Sequence, residues 1–178
     1  MLGSGSLCRN ISRPQCQERR HATKTAVSVT FTLDSSDAGP RYEIADCDGV
    51  ISYDGSPDQR FDGWNAEDIG TPEPNGANFT LMVTDSSYDL GNQTGIANWA
   101  LTFIPRGSTT ELSPFGNNLN TISGSGGSNS NGTFTLDTGN VKIKNAGDWD
   151  WGLMVQMTMP DGITIKCFSS DPEMEVGP

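Results

Sequence analysis

The chain predicts an all-β fold, an antiparallel β-sandwich of Ig-like or jelly-roll-like type with eight or nine short strands. Three observations carry this expectation. Apolar side chains recur at every second position in several segments, the rhythm of a half-buried strand. Clusters of Gly, Asn, Asp and Ser separate those segments and supply turns. Leu, Ile, Val and Phe together number only 34 of 178 residues. That is scarce for a globular chain, but it suffices where each strand has one dry face and one wet face.

Taken in order, residues 25–33 alternate Val27, Val29, Phe31 and Leu33 with Ser28, Thr30 and Thr32, and residues 34–40 follow as a polar turn. Residues 42–45 and 50–53 read as two short strands separated by Asp46-Cys47-Asp48-Gly49. Residues 54–76, with three prolines and six acids, read as a long loop of the kind that often carries function. Alternation resumes at 78–84 with Phe79, Leu81 and Val83, and again at 98–104 with Trp99, Leu101 and Phe103. Residues 105–132 read as a second irregular stretch, ending in a Gly/Ser/Asn run typical of a mobile loop. Residues 133–137 and 141–144 flank Thr138-Gly139-Asn140, the signature of a tight hairpin. The strongest pattern comes last. Trp149, Trp151, Leu153, Val155, Met157 and Met159 share one face of a long strand, and Pro160-Asp161-Gly162 turns the chain. Ile163, Ile165 and Cys167 are expected to continue the inward face of the returning strand.

Charge is unevenly distributed. The chain holds 22 Asp and Glu against 11 Lys and Arg, a formal net charge of −11. Residues 1–24 carry five basic residues against Glu18 alone, a net of +4; the remainder carries 6 against 21, a net of −15. The sequence thus divides into a basic, disordered arm over 1–24, a sandwich domain over 25–170 and a polar tail over 171–178. The arm has no apolar stretch that would make a secretory signal, so a cytoplasmic location is expected. No apolar run is long enough to span a membrane. An acidic body repels phosphate, which argues against non-specific binding to nucleic acid. Four N-x-[ST] sequons, at Asn10, Asn78, Asn92 and Asn131, are read as chance matches in an Asn-rich chain.

Several chemistries lack their parts. The only histidine is His21, in the arm, so no Ser-His-Asp triad, Cys-His dyad or His-ligated zinc fits within the body. Cys8, Cys16, Cys47 and Cys167 form no C-x-x-C pair, and no P-loop or dinucleotide fingerprint occurs. Cys47 and Cys167 are both expected inside, and a bridge between them stays open.

Two D-x-D pairs remain, Asp46/Asp48 and Asp148/Asp150. Residues i and i+2 of a strand project to the same side, so each pair presents two oxygens to a hard cation, and calcium accepts irregular oxygen shells. The loops offer further acids at Asp34, Asp37, Asp54, Asp58, Asp62, Asp85 and Asp89. The bland alternative is that these acids keep a small-core protein soluble. Trp64 is the one tryptophan outside a strand pattern. Its indole, with Asp62 and Asn65 beside it, suits a sugar face, or else plugs the loop onto the sandwich. The expectations are therefore a non-catalytic sandwich that binds or assembles through loops or strand edges, with a glycan or a protein as partner. The alternatives are a calcium-assisted carbohydrate-binding module centred on Trp64 and a small hydrolase using two carboxylates.

Overall fold

The computed structural model describes residues 22–38, 42–64, 74–116 and 118–170. Most of the arm and the whole tail lie outside the described residues. Eleven strands form two sheets, and there is no helix among the described residues. The larger sheet contains β1 (Lys24–Leu33), β2 (Asp46–Tyr53), β3 (Ser56–Asp62), β4 (Ala77–Asp85), β7 (Ser128–Ser130), β8 (Thr133–Leu136) and β9 (Lys142–Ile143). Its order is β3-β2-β1-β4-β8-β7, with β9 also paired to β4. The smaller sheet is β11-β10-β5-β6, from β5 (Gly95–Pro105), β6 (Thr121–Ser125), β10 (Trp149–Thr158) and β11 (Ile165–Ser169). The fold class is all-β and sandwich-like, with more strands than the eight or nine expected. Pairing is antiparallel except that β1 runs parallel to β4, in register from Ala26↔Asn78 to Leu33↔Asp85.

The alternation places the core where the sequence put it. Val27, Val29, Phe31 and Leu33 of β1 are buried, as are Phe79, Leu81 and Val83 of β4, Trp99, Leu101 and Phe103 of β5, and Leu153, Val155 and Met157 of β10. Six rings form one contiguous series across the two layers. Trp64 meets Phe31 at 5.6 Å between centroids, Phe31 meets Trp151 at 5.7 Å, and Trp151 stacks on Phe103 at 6.3 Å. Phe103 then meets Phe115 at 5.2 Å, and Phe115 meets Phe79 at 5.0 Å. Three of these pairs are edge-to-face, one is stacked and one tilted, and such ring pairs add to the burial of the rings themselves.

Four expectations need correction. First, Asp46-Cys47-Asp48-Gly49 does not separate two strands; it opens the continuous β2, and residues 42–45 make only an isolated bridge, Glu43↔Ser169. Second, the presumed loops contain strands. In β3 only Phe61 is buried, because an edge strand needs a ladder partner more than a dry face. Phe61 lies over its register partner Gly49, where a Cβ would fall 2.0 Å from the ring. In β6, Gly124 is a packing residue: a Cβ there would stand 2.9 Å from the Trp99 ring. Third, β8 and β9 do not form a hairpin with each other. Both run antiparallel along β4, at Leu81–Thr84 and at Ala77–Asn78, so they are one line interrupted at 137–141. Fourth, the returning strand β11 faces the other way. Its register pairs Val155 with Phe168 and Met157 with Lys166. Partners across a ladder share a face, so Phe168 is buried while Ile163, Ile165 and Cys167 point to solvent.

Many acids are consumed by turns. Asp34, Asp62, Asp85, Asp89, Asp137 and Asp161 each accept the backbone N–H of the second residue onward, an Asx-turn. Asp85 does more. It is only 4 % exposed, and its Oδ1 accepts from the Ser35 N–H (2.9 Å), the Ser87 N–H (3.2 Å) and the Ser87 hydroxyl (2.9 Å). Its Oδ2 accepts from the Thr94 hydroxyl at 3.0 Å. This carboxylate ties the turn after β1 to the β4–β5 connection. A second tie crosses the sheets: Lys166 Nζ on β11 donates to the carbonyls of Ser35 (2.9 Å) and Asp37 (2.7 Å) and lies over the Tyr42 ring.

Removing the hub should be far costlier than removing an exposed turn. Asp85→Ala leaves buried donors unmatched and is expected to cost about 2–4 kcal/mol in urea unfolding. Asp89→Ala should cost less than about 1 kcal/mol, and equal losses would contradict the assigned roles. The hydroxyl and N–H of Ser36 hold Asp34 below the usual carboxylate range, and the Thr164 hydroxyl with the Ile163 and Thr164 N–H groups does so for Asp161. A lowered folded pKa means that this stabilisation is complete above the unfolded value of about 3.9 and fades as pH falls through the folded value. The double variant Asp34→Ser/Asp161→Ser should therefore show a shallower fall in melting temperature below about pH 4 than the parent. Parallel curves would remove the linkage.

Candidate functional site

The sequence-derived acids fall into two groups on different sheets. Asp46 and Asp48 project from the outer side of β2, and Asp48 stands in register with Asp62 at the end of β3. Cys47 lies between them, buried, with the Gly63 N–H donating to its carbonyl at 2.9 Å. Burial, and then the charges of Asp62, Asp46 and Asp48, push the Cys47 thiol far up, so it stays protonated. Asp148 and Asp150 sit at the start of β10 in the smaller sheet. The Asp148 N–H donates to the Thr109 hydroxyl at 2.8 Å, and the Asp150 carboxylate pairs with Arg106 at 3.3 Å. No group of three or more His, Cys, Asp or Glu among the described residues is arranged to hold a metal ion.

Trp64 follows β3 and is 40 % exposed. Its N–H donates to Asp62 Oδ1 at 3.0 Å, which fixes the turn, and its ring meets the buried Phe31 edge-on. The indole is thus partly docked and partly open. Asn65 lies outside the described residues. Trp99 is a core residue, Trp151 packs between Phe31 and Phe103, and Trp149 donates its indole N–H to the Glu111 carbonyl at 3.0 Å.

A different surface stands out once β11 is oriented correctly. The outer face of the smaller sheet exposes Met154 (51 %), Ile165 (58 %) and Ile104 (48 %), with Cys167 beside Gln156. Around them lie Ala100, Thr102 and Ser123 in register across β5 and β6. Among the described residues the charged side chains here are Asp150, neutralised by Arg106, and Glu43 at the margin beside Ser169. Sequence reasoning missed this face because it assigned Ile165 and Cys167 to the core. Counting register through the turn from Met157 would have found it, since the Met159 N–H closes on the Thr164 carbonyl.

No family model matches the chain, and comparison with curated proteins and with solved structures found no similar protein. Among the described residues no helix is long and apolar enough to cross a membrane.

The two described cysteines should differ sharply in reactivity. In the native protein a thiol reagent should modify Cys167, while Cys47 should become reactive only in denaturant, as read by peptide mass mapping. A Cys47–Cys167 disulfide in the purified protein, or equal labelling, would contradict the placement.

Proposed function

We propose that the protein is a non-catalytic sandwich that assembles with further copies of itself through the outer face of the smaller sheet. The supporting observation is the distribution of charge. The chain from residue 25 onward carries a net of −15, yet among the described residues this face holds one internally neutralised pair and a single marginal acid. Two copies approaching by an acidic surface repel each other; approaching by this face they do not. Burying Met154, Ile165 and Ile104 supplies a favourable term of roughly 25 cal/mol per Å² of apolar area. These side chains stand at three levels along the face, Ile104 opposite Asp150, Met154 opposite Ala100 and Ile165 opposite Thr158, so a partner copy covering all three would run along the length of β10.

The reading has a distinctive salt dependence. Repulsion between the acidic remainders opposes association, and salt screens it, so assembly should strengthen with ionic strength. Light scattering after size-exclusion chromatography should show dimers or larger species that increase with salt. Met154→Asp and Ile165→Asp should be monomeric with little change in melting temperature, since both side chains are exposed. A protein that stays monomeric at high concentration and high salt would sink the proposal, as would aspartate variants that associate like the parent.

A further inference from the structure

On the larger sheet, the interruption between β8 and β9 creates a second feature. Residues 137–141 interrupt the regular ladder between Leu136 and Lys142 while staying tied to β4 at both ends. The Thr138 hydroxyl donates to the Phe79 carbonyl at 3.2 Å, and the Phe79 N–H donates to the Val141 carbonyl at 3.1 Å. Gly139 and Asn140 both adopt positive φ, 70° and 57°. Asn140 is therefore held in a backbone region that non-glycine residues seldom occupy. Interruptions of a ladder often re-aim side chains beside binding sites. Here the excursion separates two recesses of about 470 Å³ and about 240 Å³, and Asn140 lines both.

The two recesses differ in chemistry. Thr80, Ser128, Thr135, Thr138 and Asp137 line the larger together with the apolar Phe79 and Leu136, and the Thr138 hydroxyl is already engaged by the Phe79 carbonyl. Asp137 Oδ1 accepts the Gly139 N–H at 3.0 Å, which leaves Oδ2 to accept from a ligand hydroxyl. Lys142 and Lys144 line the smaller. The Lys144 stem lies across Gly76 and Gly116, where a Cβ on either would come within 2.8 Å of it. Lys142 Nζ reaches the Asn75 carbonyl at 3.5 Å. Among the described residues neither lysine meets a carboxylate, and the Arg106–Asp150 pair is the ion pair found there. In a chain with twice as many acids as bases, two neighbouring cations that meet no carboxylate among the described residues are a departure from the surrounding charge.

We propose that this cleft binds an acidic saccharide, with sugar hydroxyls in the larger recess, the anionic group between Lys142 and Lys144, and the Asn140 amide bridging the two. A sugar presents both hydroxyls and apolar C–H faces, and Thr80, Ser128, Thr135 and Asp137 beside Phe79 and Leu136 offer partners for both. A carboxylate needs cationic donors, which the lysines supply. Asp137 lines the hydroxyl side and not the lysine side, which sets the polarity of the bound ligand.

The test uses the full chain, labelled with nitrogen-15 and titrated with trigalacturonate, its neutral methyl ester and inorganic phosphate. Trigalacturonate should move the amide signals of Thr80 and of residues 138–144. The double variant Lys142→Gln/Lys144→Gln should bind it about tenfold more weakly or worse, and the methyl ester should lose a similar factor against the parent. Phosphate should bind weakly and move only the signals of residues 142–144. Asn140→Gly keeps the positive φ and removes the amide, so it should weaken trigalacturonate binding and leave phosphate unchanged. Unmoved signals, or undiminished affinity in the lysine variant, would overturn the proposal. Phosphate binding as tightly as the uronate would reduce the site to a simple anion contact and overturn it equally. The variants alter exposed side chains, and their melting curves check that they remain folded.

Discussion

Because a strand in a two-layer sandwich turns only alternate side chains to the core, a chain poor in aliphatic residues can still fold. Val27, Val29, Phe31 and Leu33 are all buried, while the threonines and serines between them pair and solvate the other side. The same arrangement on β4, β5 and β10 closes the interior from both layers. Aromatic rings compensate for the shortage of aliphatic volume, since each buries a large area. Where a ring is too large for a side chain opposite, glycine stands across from it, as at Gly49 under Phe61 and Gly124 under Trp99. Several glycines that resemble linker composition are therefore dictated by packing.

That explains which parts of the fold were legible in the sequence. β1, β4, β5 and β10 announce themselves by alternation, because each is central and has one fully dry face. β3, β6 and β7 are edge strands, with one inward apolar residue each in β3 and β6 and none in β7. Their pairing energy comes from backbone ladders, which leave no side-chain rhythm to read. The β8–β9 line fails for a related reason. Thr138-Gly139-Asn140 is sound turn chemistry, but turn chemistry does not say whether the chain reverses or returns to the same neighbour. β11 shows how strictly period two punishes an error of one residue: moving the register across the turn by a single position exchanges Ile165 and Cys167 for Lys166 and Phe168.

The aspartates were harder to read than the strands. A carboxylate in a Gly/Ser-rich loop satisfies two chemistries, ligation of a hard cation and acceptance of a nearby backbone N–H, with the same local sequence. Geometry distinguishes them. Six aspartates point back at their own turns, and Asp85 is wholly occupied by donors from two connections. Asp62, read as a ligand contact beside Trp64, fixes the turn that places that indole on Phe31. The acidic composition is thus partly the cost of making tight connections without helices to absorb them.

Once turns account for those acids, the remaining charge pattern becomes informative. Solvation alone would distribute carboxylates over every outward strand face, yet among the described residues the outer side of the smaller sheet is served mainly by Ser, Thr, Asn, Gln, Met and Ile, with Asp150 paired to Arg106. The larger sheet shows the complementary deviation, with Lys142 and Lys144 adjacent and free of acids among the described residues. Core packing requires neither deviation: Met154 and Ile165 lie on the outward side of the alternation, and both lysines carry exposed side chains although the Lys144 stem lies across Gly76 and Gly116. A surface whose charge departs from its surroundings in this way is suited to contact with another molecule. The two departures lie on opposite layers of the sandwich, so one face can be occupied while the other remains accessible.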